Sequence, residues 1–343
     1  MKNRWKNLAA LALLAAGTAG CDGTRQDATQ TTASQTQSQA PAAAVPAPAF
    51  QADSAYAFVA RQVAFGPRVP NSAAHRACGD YLIQKLNDLG AKVTVQEFES
   101  TAYDGKKLRL RNIIGAYNPQ ADNRVLLAAH WDTRPFADKD DSQPATPNDG
   151  ANDGASGVGV LLELARTLHT AQTNPGVGVD IIFFDGEDYG DADGTAAPQP
   201  GYEVTWCLGS QYWASKKHQP DYRATFGVLL DMVGARGARF AIEENSQTIA
   251  PQVVNMVWKT AHQLGYSDYF VYARNGAITD DHLYMAKGGV PSIDIIDFDP
   301  SSPDGTFGKY HHRHTDNMAI IDKNTLKAVG QTLVQVIYNQ LAI

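Results

Sequence analysis

From about residue 50 onward the chain alternates between two hydrophobic periods. Ala52–Phe65, Ala73–Leu89, Gly154–Thr170, Ser210–Lys217, Ala250–Leu264 and Asp322–Leu341 carry apolar residues at helical spacing. Gly66-Pro67 and Pro70-Asn71 break the first two apart. Lys92–Phe98 alternates as a half-buried strand does, Leu108–Tyr117 reads as a second strand, and Phe240–Ile242 as an extra edge piece. Val125–Ala129, Val177–Phe184, Phe226–Asp231 and Val290–Ile296 are short apolar runs of the kind buried on both faces. Strands alternating with helices predict an α/β fold: a single domain whose central mixed, mostly parallel sheet is flanked by helices. Glycines 150, 154, 157 and 159 do not form a dinucleotide fingerprint, because no strand runs directly into them.

The apolar runs end abruptly in acids and imidazoles. Ile181-Ile182-Phe183-Phe184 gives way to Asp185-Gly186-Glu187-Asp188, and Val125–Ala129 to His130-Trp131-Asp132. Asp231 closes a third strand, Asp153 precedes a helix, and His311, His312 and His314 lie before the last helix. Carboxylates follow buried strands cheaply only when solvated, paired or bound to a cation, and strand carboxyl ends are where α/β sheets form ligand crevices. Two adjacent acids, Glu187 and Asp188, suit one acid/base and one metal ligand. Carboxylate oxygens and neutral imidazole are the donors of a catalytic Zn²⁺ site. Asp132, two residues from His130 on an extended chain, faces the same side and is placed to orient it. Each residue taken singly has a plainer role: Asp153 as a helix cap, Asp231 as a turn residue, the histidines as a surface cluster in which any one of the three could be the ligand. Their joint occurrence at four strand ends favours a metal site.

Composition narrows the picture. The 343 residues include 29 Lys+Arg against 36 Asp+Glu, a net charge of −7, and no basic cluster, which argues against a nucleic-acid partner. Three cysteines, at 21, 78 and 207, are too few for a disulfide scaffold; Cys78 and Cys207 are free thiols or one pair. At the amino terminus, Lys2, Arg4 and Lys6 precede the apolar run Leu8–Ala16 and then Thr18-Ala19-Gly20-Cys21. That is the layout of a signal peptide over residues 1–20, too short for a confident membrane span. Residues 21–49, rich in Ala, Gln, Thr and Pro, cannot bury enough surface to fold and are expected to be a tether ahead of a catalytic domain at 50–343.

Six ordered segments carry a resemblance. His130-Trp131-Asp132-Thr133-Arg134-Pro135, Asn152–Gly157, Phe183–Asp188, Leu230-Asp231-Met232, Asp280-Asp281-His282 and His314-Thr315-Asp316-Asn317 resemble the motifs of the M28 metallopeptidases, and among these most of all the zinc-dependent glutaminyl-peptide cyclotransferases. The resemblance implies a zinc aminopeptidase-like fold and one Zn²⁺ per chain held by Asp153, Asp188 and His314. It implies Glu187 as catalytic acid/base, with Asp231 and Asp280 in its hydrogen-bond network. Substrates would be peptide or protein N-termini beginning with Gln. In the aminopeptidase relatives His130 and Asp231 would join Asp153 at a second metal, so ligand inventory does not separate cyclisation from hydrolysis; an inactive binding ectodomain is a third reading. Trp131, Trp206 and Arg313 are expected near the substrate pocket, whereas Trp213 is expected in the core. The Asp- and Pro-rich loop 138–149, joining the His130 strand end to Asp153, is placed to act as a lid. The small residues ending in Cys21 resemble a bacterial lipobox. That implies a lipid anchor on Cys21 as the sole membrane link and an envelope location, facing the periplasm or the outer surface.

Overall fold

The computed structural model describes residues 47–298 and 307–339. In chain order the helices are α1 (Ala52–Val63), α2 (Ala73–Asp88), α3 (Ala155–Thr170), α4 (Leu208–Ser215), α5 (Glu244–Ile249), α6 (Pro251–Gln263), α7 (Asp281–Lys287) and α8 (Lys323–Asn339). The strands are β1 (Lys92–Thr101), β2 (Lys107–Tyr117), β3 (Arg124–His130), β4 (Gly178–Phe184), β5 (Phe226–Asp231), β6 (Phe240–Ile242), β7 (Phe270–Arg274) and β8 (Ser292–Ile296). Six of the strands form one sheet in the order β1-β2-β4-β3-β5-β8. β4, β3, β5 and β8 are parallel, and β2 runs antiparallel to both of its neighbours. The mixed, mostly parallel sheet is therefore present as expected. The short piece at Phe240–Ile242 pairs instead with β7 in a separate two-stranded sheet.

The apolar runs are buried on both faces because successive side chains point opposite ways. Along β4, Ile181 and Phe183 enter the larger core beneath α1, α3 and α8, while Ile182 and Phe184 enter a smaller core with Leu126, Leu229, Trp213 and Met285. Burying one such side chain stabilises the fold by about 1.5–3 kcal/mol. Trp213 stands edge-on to Phe184 with ring centroids 6.2 Å apart, in the core as its sequence setting indicated. The parallel strands all point the same way, so the C-terminal ends of β3, β4 and β5 deliver His130, Glu187, Asp188 and Asp231 to one edge.

Helix α3 reaches that edge through Gly157. A Cβ there would lie 2.4 Å from the Leu230 carbonyl oxygen and 2.9 Å from Ala129 Cβ, both on strands that carry site residues. Backbone cannot retreat as a flexible side chain can, so Gly157→Ala is expected to cost about 1–3 kcal/mol by overpacking. Urea unfolding should show a lower midpoint with an unchanged slope; an unchanged midpoint would contradict the close approach.

Candidate active site and metal centre

Two devices set the turns that hold the acids. Asp132, fully buried, accepts the backbone N–H groups of Glu187 (3.1 Å) and Asp188 (3.2 Å), pinning the turn after β4 to the end of β3. Its distance to His130 Nδ1 is 3.6 Å, a charge contact rather than a hydrogen bond, so holding that turn is its main work. On the other side Asp316 accepts from the N–H groups of Asn152 (2.7 Å) and Asp153 (3.1 Å). Gly154 follows at φ 78°, and a Cβ there would stand 2.9 Å from the His130 ring, so glycine lets Asp153 come up against His130. Asp185, between the strand and the acids, turns the other way: His75 Nε2 lies 2.8 Å from it and the Arg111 N–H donates at 2.7 Å.

The first set of metal-type donors is Asp153, Asp188 and His312. His312 Nε2 lies 3.2 Å from Asp188 Oδ1 and 3.8 Å from Asp153 Oδ2, and Asp188 Oδ2 is buried with no hydrogen-bond partner among the described residues. Two carboxylates and one imidazole with an orphaned oxygen fit a divalent zinc ion. This corrects the expectation for His314. That residue is a third exposed, with Nδ1 3.1 Å from Asp140 and Nε2 2.9 Å from Thr146 Oγ1, so both ring nitrogens are engaged in loop 138–149. The tight turn carrying His311 to Asp316, with His312 at φ 56°, sends His312 inward.

A second set shares Asp153. His130 Nε2 lies 3.0 Å from Asp153 and 3.3 Å from Asp231. Burial disfavours an imidazolium here, yet the close carboxylates of Asp132, Asp153 and Asp231 outweigh it and hold His130 well above its ordinary range. Burial in turn raises Asp231 to about 7, partly opposed by the His130 contact. Glu187 sits between these acids and Asp280. Burial pushes its carboxyl well above the usual range, against the pull of His130, and Asp280, Asp188 and Asp281 push it further. Asp280 caps α7, its side chain accepting the Asp281 N–H, and it too is raised by burial. A raised carboxyl is suited to holding and releasing a proton near neutral pH.

These residues line a cavity of about 270 Å³ walled by Trp206, Phe307, Ile278 and His311. Trp206 stacks on His312 (centroids 5.9 Å apart, 14° between planes), with the Arg134 guanidinium on its ring at 4.6 Å. Arg134 also donates to the backbone carbonyls of Asp188 and Gly190 and pairs with Asp138, which contacts His312 Nδ1 at 3.1 Å. Arg134 and Asp138 thus support the donors, a role their positions in sequence did not reveal. Loop 138–149 is fastened to the histidine segment through Asp138, Asp140, Lys139 and Thr146. Of the three residues expected around the pocket, Trp206 alone is a wall. Trp131 is fully buried, stacked on His75 and donating to the Arg111 carbonyl, because its side chain leaves β3 on the face away from the cavity. Arg313 pairs with Asp141 at 3.6 Å. Cys78 and Cys207 are free, buried thiols, and Cys21 lies outside the described residues. A larger open groove of about 800 Å³ lies along α2 and the β1–β2 pair, where Arg76, Arg109 and Arg111 mix with Asp80, Glu97 and Glu99, away from the metal-type donors.

A sheet covered on both faces, with metal-type donors gathered at its C-terminal strand ends, defines a metal-dependent α/β enzyme of the zinc exopeptidase type. The description Peptidase family M28 matches residues 112–337. A Zn-dependent exopeptidase from Parabacteroides distasonis is 55% identical, with a TM-score of 0.81 over 86% of this chain and 100% of that one. A glutaminyl cyclase from Tannerella forsythia is 53% identical, with a TM-score of 0.81 over 85% of this chain and 99% of that one. The glutaminyl-peptide cyclotransferase of Bos taurus is 29% identical over 78% of this chain and 76% of its own. The chain belongs to peptidase family M28.

The donor geometry separates two neighbouring histidines. His312→Ala should lower zinc affinity by more than about 100-fold, beyond what loss of an outer support costs, whereas His314→Ala should keep the wild-type zinc content. Plasma mass spectrometry after dialysis reads both; zinc lost from His314→Ala and kept by His312→Ala would reverse the assignment.

Proposed function

We propose that this protein is a zinc-dependent glutaminyl-peptide cyclotransferase, converting the N-terminal Gln of peptides to pyroglutamate with release of ammonia. The observation that carries the proposal is the likeness to a bacterial glutaminyl cyclase over 85% of this chain, combined with a half-buried Glu187 beside the Asp153–Asp188–His312 donors. The substrate's α-amine nitrogen forms a bond to its own γ-amide carbon, and the bond from that carbon to the amide nitrogen breaks. No protein nucleophile is required, so orientation supplies much of the rate. Asp153, Asp188 and His312 would hold the zinc ion, which would supply Lewis-acid polarisation of the γ-carbonyl when bound. Glu187 takes the proton leaving the attacking amine and delivers it to the departing ammonia, a double duty suited to its raised carboxyl. Burial and the neighbouring Asp280, Asp188 and Asp281 favour its protonated form. Trp206 offers an apolar wall for the glutamine side chain.

A second reading rests on His130, Asp153 and Asp231, whose convergence also suits a second divalent ion and hence aminopeptidase hydrolysis.

At the amino terminus, Cys21 would carry the lipid that tethers the domain to a bacterial envelope membrane. Cys21→Ala should move the protein from the membrane to the soluble fraction and abolish labelling by a fatty-acid probe; unaltered fractionation and labelling would remove the anchor.

The activity is tested by mass spectrometry of a peptide beginning Gln-Phe, incubated with the zinc-loaded enzyme. Cyclisation removes about 17 mass units as ammonia, and Glu187→Gln should lower kcat by about 10²–10⁴ with KM little changed. Release of free glutamine would establish the aminopeptidase reading instead.

A further inference from the structure

Cys207 is a buried thiol that touches the centre of the site. It stands at the N-terminus of α4 in the left-handed region, φ 56°, which is uncommon for a residue with a side chain. Its own N–H donates to the Glu187 carbonyl at 3.0 Å, and the next N–H, from Leu208, donates to the Gly186 carbonyl at 3.1 Å. The segment before α4 is thereby laced to the turn that carries the proposed acid/base. On the other side Ser210 Oγ and the Gln211 N–H both donate to the Cys207 carbonyl, and Ser210 Oγ also donates to Asp281. The thiol itself lies 3.3 Å from Glu187 Oε1, and among the described residues it is the one side chain recorded as donating to that carboxylate.

We propose that Cys207 is a positioning residue for Glu187, its S–H holding Oε1 so that the other oxygen remains available to the reacting nitrogen atoms. The proposal rests on the role given to Glu187 in cyclisation. A glutamate side chain has three rotatable bonds, and backbone contacts fix only where it begins. A carboxylate moving a proton between two nitrogens must keep one oxygen within hydrogen-bond reach of both. A thiol is a weak donor but suits this place. It is fully buried and adds no charge among the acids, and it retains its proton because burial and the neighbouring Glu187, Asp281 and Asp280 all disfavour the thiolate. The donor therefore stays a donor through the pH range in which Glu187 must work.

Removing one weak hydrogen bond of this kind is expected to lower kcat by about 3- to 10-fold. The test is a double-mutant cycle on the zinc-loaded full chain, using Cys207→Ala, Cys207→Ser and Glu187→Gln with the Gln-Phe peptide, and with zinc content and Tm checked for each variant. Cys207→Ala should lose kcat with KM within about two-fold, and Cys207→Ser, which keeps an O–H donor, should recover most of the loss. In the Glu187→Gln background Cys207→Ala should cost little more, because residues acting as one unit are not additive. Equal losses in both backgrounds, wild-type kcat in Cys207→Ala, or a serine variant as slow as the alanine variant would overturn the proposal. If Glu187→Gln falls below detection, or Cys207→Ala fails to fold, the contrast between Cys207→Ser and wild type decides: near wild-type kcat supports the donor and an alanine-like loss removes it. Full activity in Glu187→Gln would instead strike the acid/base reading and leave the thiol contact without that purpose.

Discussion

Asp153, Asp188, Glu187, Asp231 and Asp280 share one cavity wall, four of them buried and Glu187 half-buried, and an unpaired charge on a buried one costs several kcal/mol. Much of the site's architecture answers that cost. His312 balances Asp188, His130 balances Asp153 and Asp231, and Arg134 stands 3.8 Å from Asp188 Oδ1, the oxygen that His312 also contacts. Neither imidazole is free to rotate away: His130 is buried between carboxylates, and His312 lies between Trp206 and His311, with Asp138 on its other nitrogen. Asp188 Oδ2 still has no partner, and a divalent cation is what the remaining negative charge calls for. Burial pushes Glu187, Asp280, Asp188 and Asp231 toward their neutral forms, whereas Asp153, beside His130 and His312, is held in its charged form.

Placement of these groups follows from the sheet. Parallel strands end together, so β3, β4 and β5 bring residues separated by tens of positions in sequence to one edge. What the strands do not fix, backbone contacts do: Asp132 sets the Glu187-Asp188 turn from the end of β3, and Asp316 sets the Asp153 turn from the segment before α8. Both carboxylates spend their lone pairs on N–H groups, which is how a buried acid away from any metal remains tolerable.

The period-two and period-3.6 patterns were sufficient for the sheet, its buried strands and the long helices, because binary pattern and burial agree along those segments. The structure contains three elements that those patterns did not resolve. β7 is short and mostly exposed, and α5 and α7, at six and seven residues, are too brief to establish a period. At the site, residues tied to strand ends were legible, since a strand end has one address in the fold. The histidine was harder. His311, His312 and His314 sit within one short loop; that His311 and His312 turn inward and His314 does not is decided by the positive φ at His312 and by contacts to loop 138–149, features with no local sequence signature. Trp131 shows the converse: its place one residue after His130 already sends it to the opposite face of the sheet, where it packs on His75.

The same acids and histidines could serve two reactions, and their identity alone does not choose between them. The difference lies in where positive charge and protons reside. Hydrolysis by two metals needs His130 neutral, as a ligand, and Asp231 ionised. Cyclisation with one metal needs no activated water, only a carboxyl that moves a proton between two nitrogens of the same substrate. The contacts around the two donor sets press on both alike: His130 and His312 are each held toward the charged form by neighbouring carboxylates, and Asp231 and Asp188 are each raised by burial. A cation at either set would have to displace a proton from an imidazole, so binding at both should weaken as pH falls; what sets the Asp153–Asp188–His312 donors apart is geometric, since Asp188 Oδ2 is buried with no hydrogen-bond partner among the described residues.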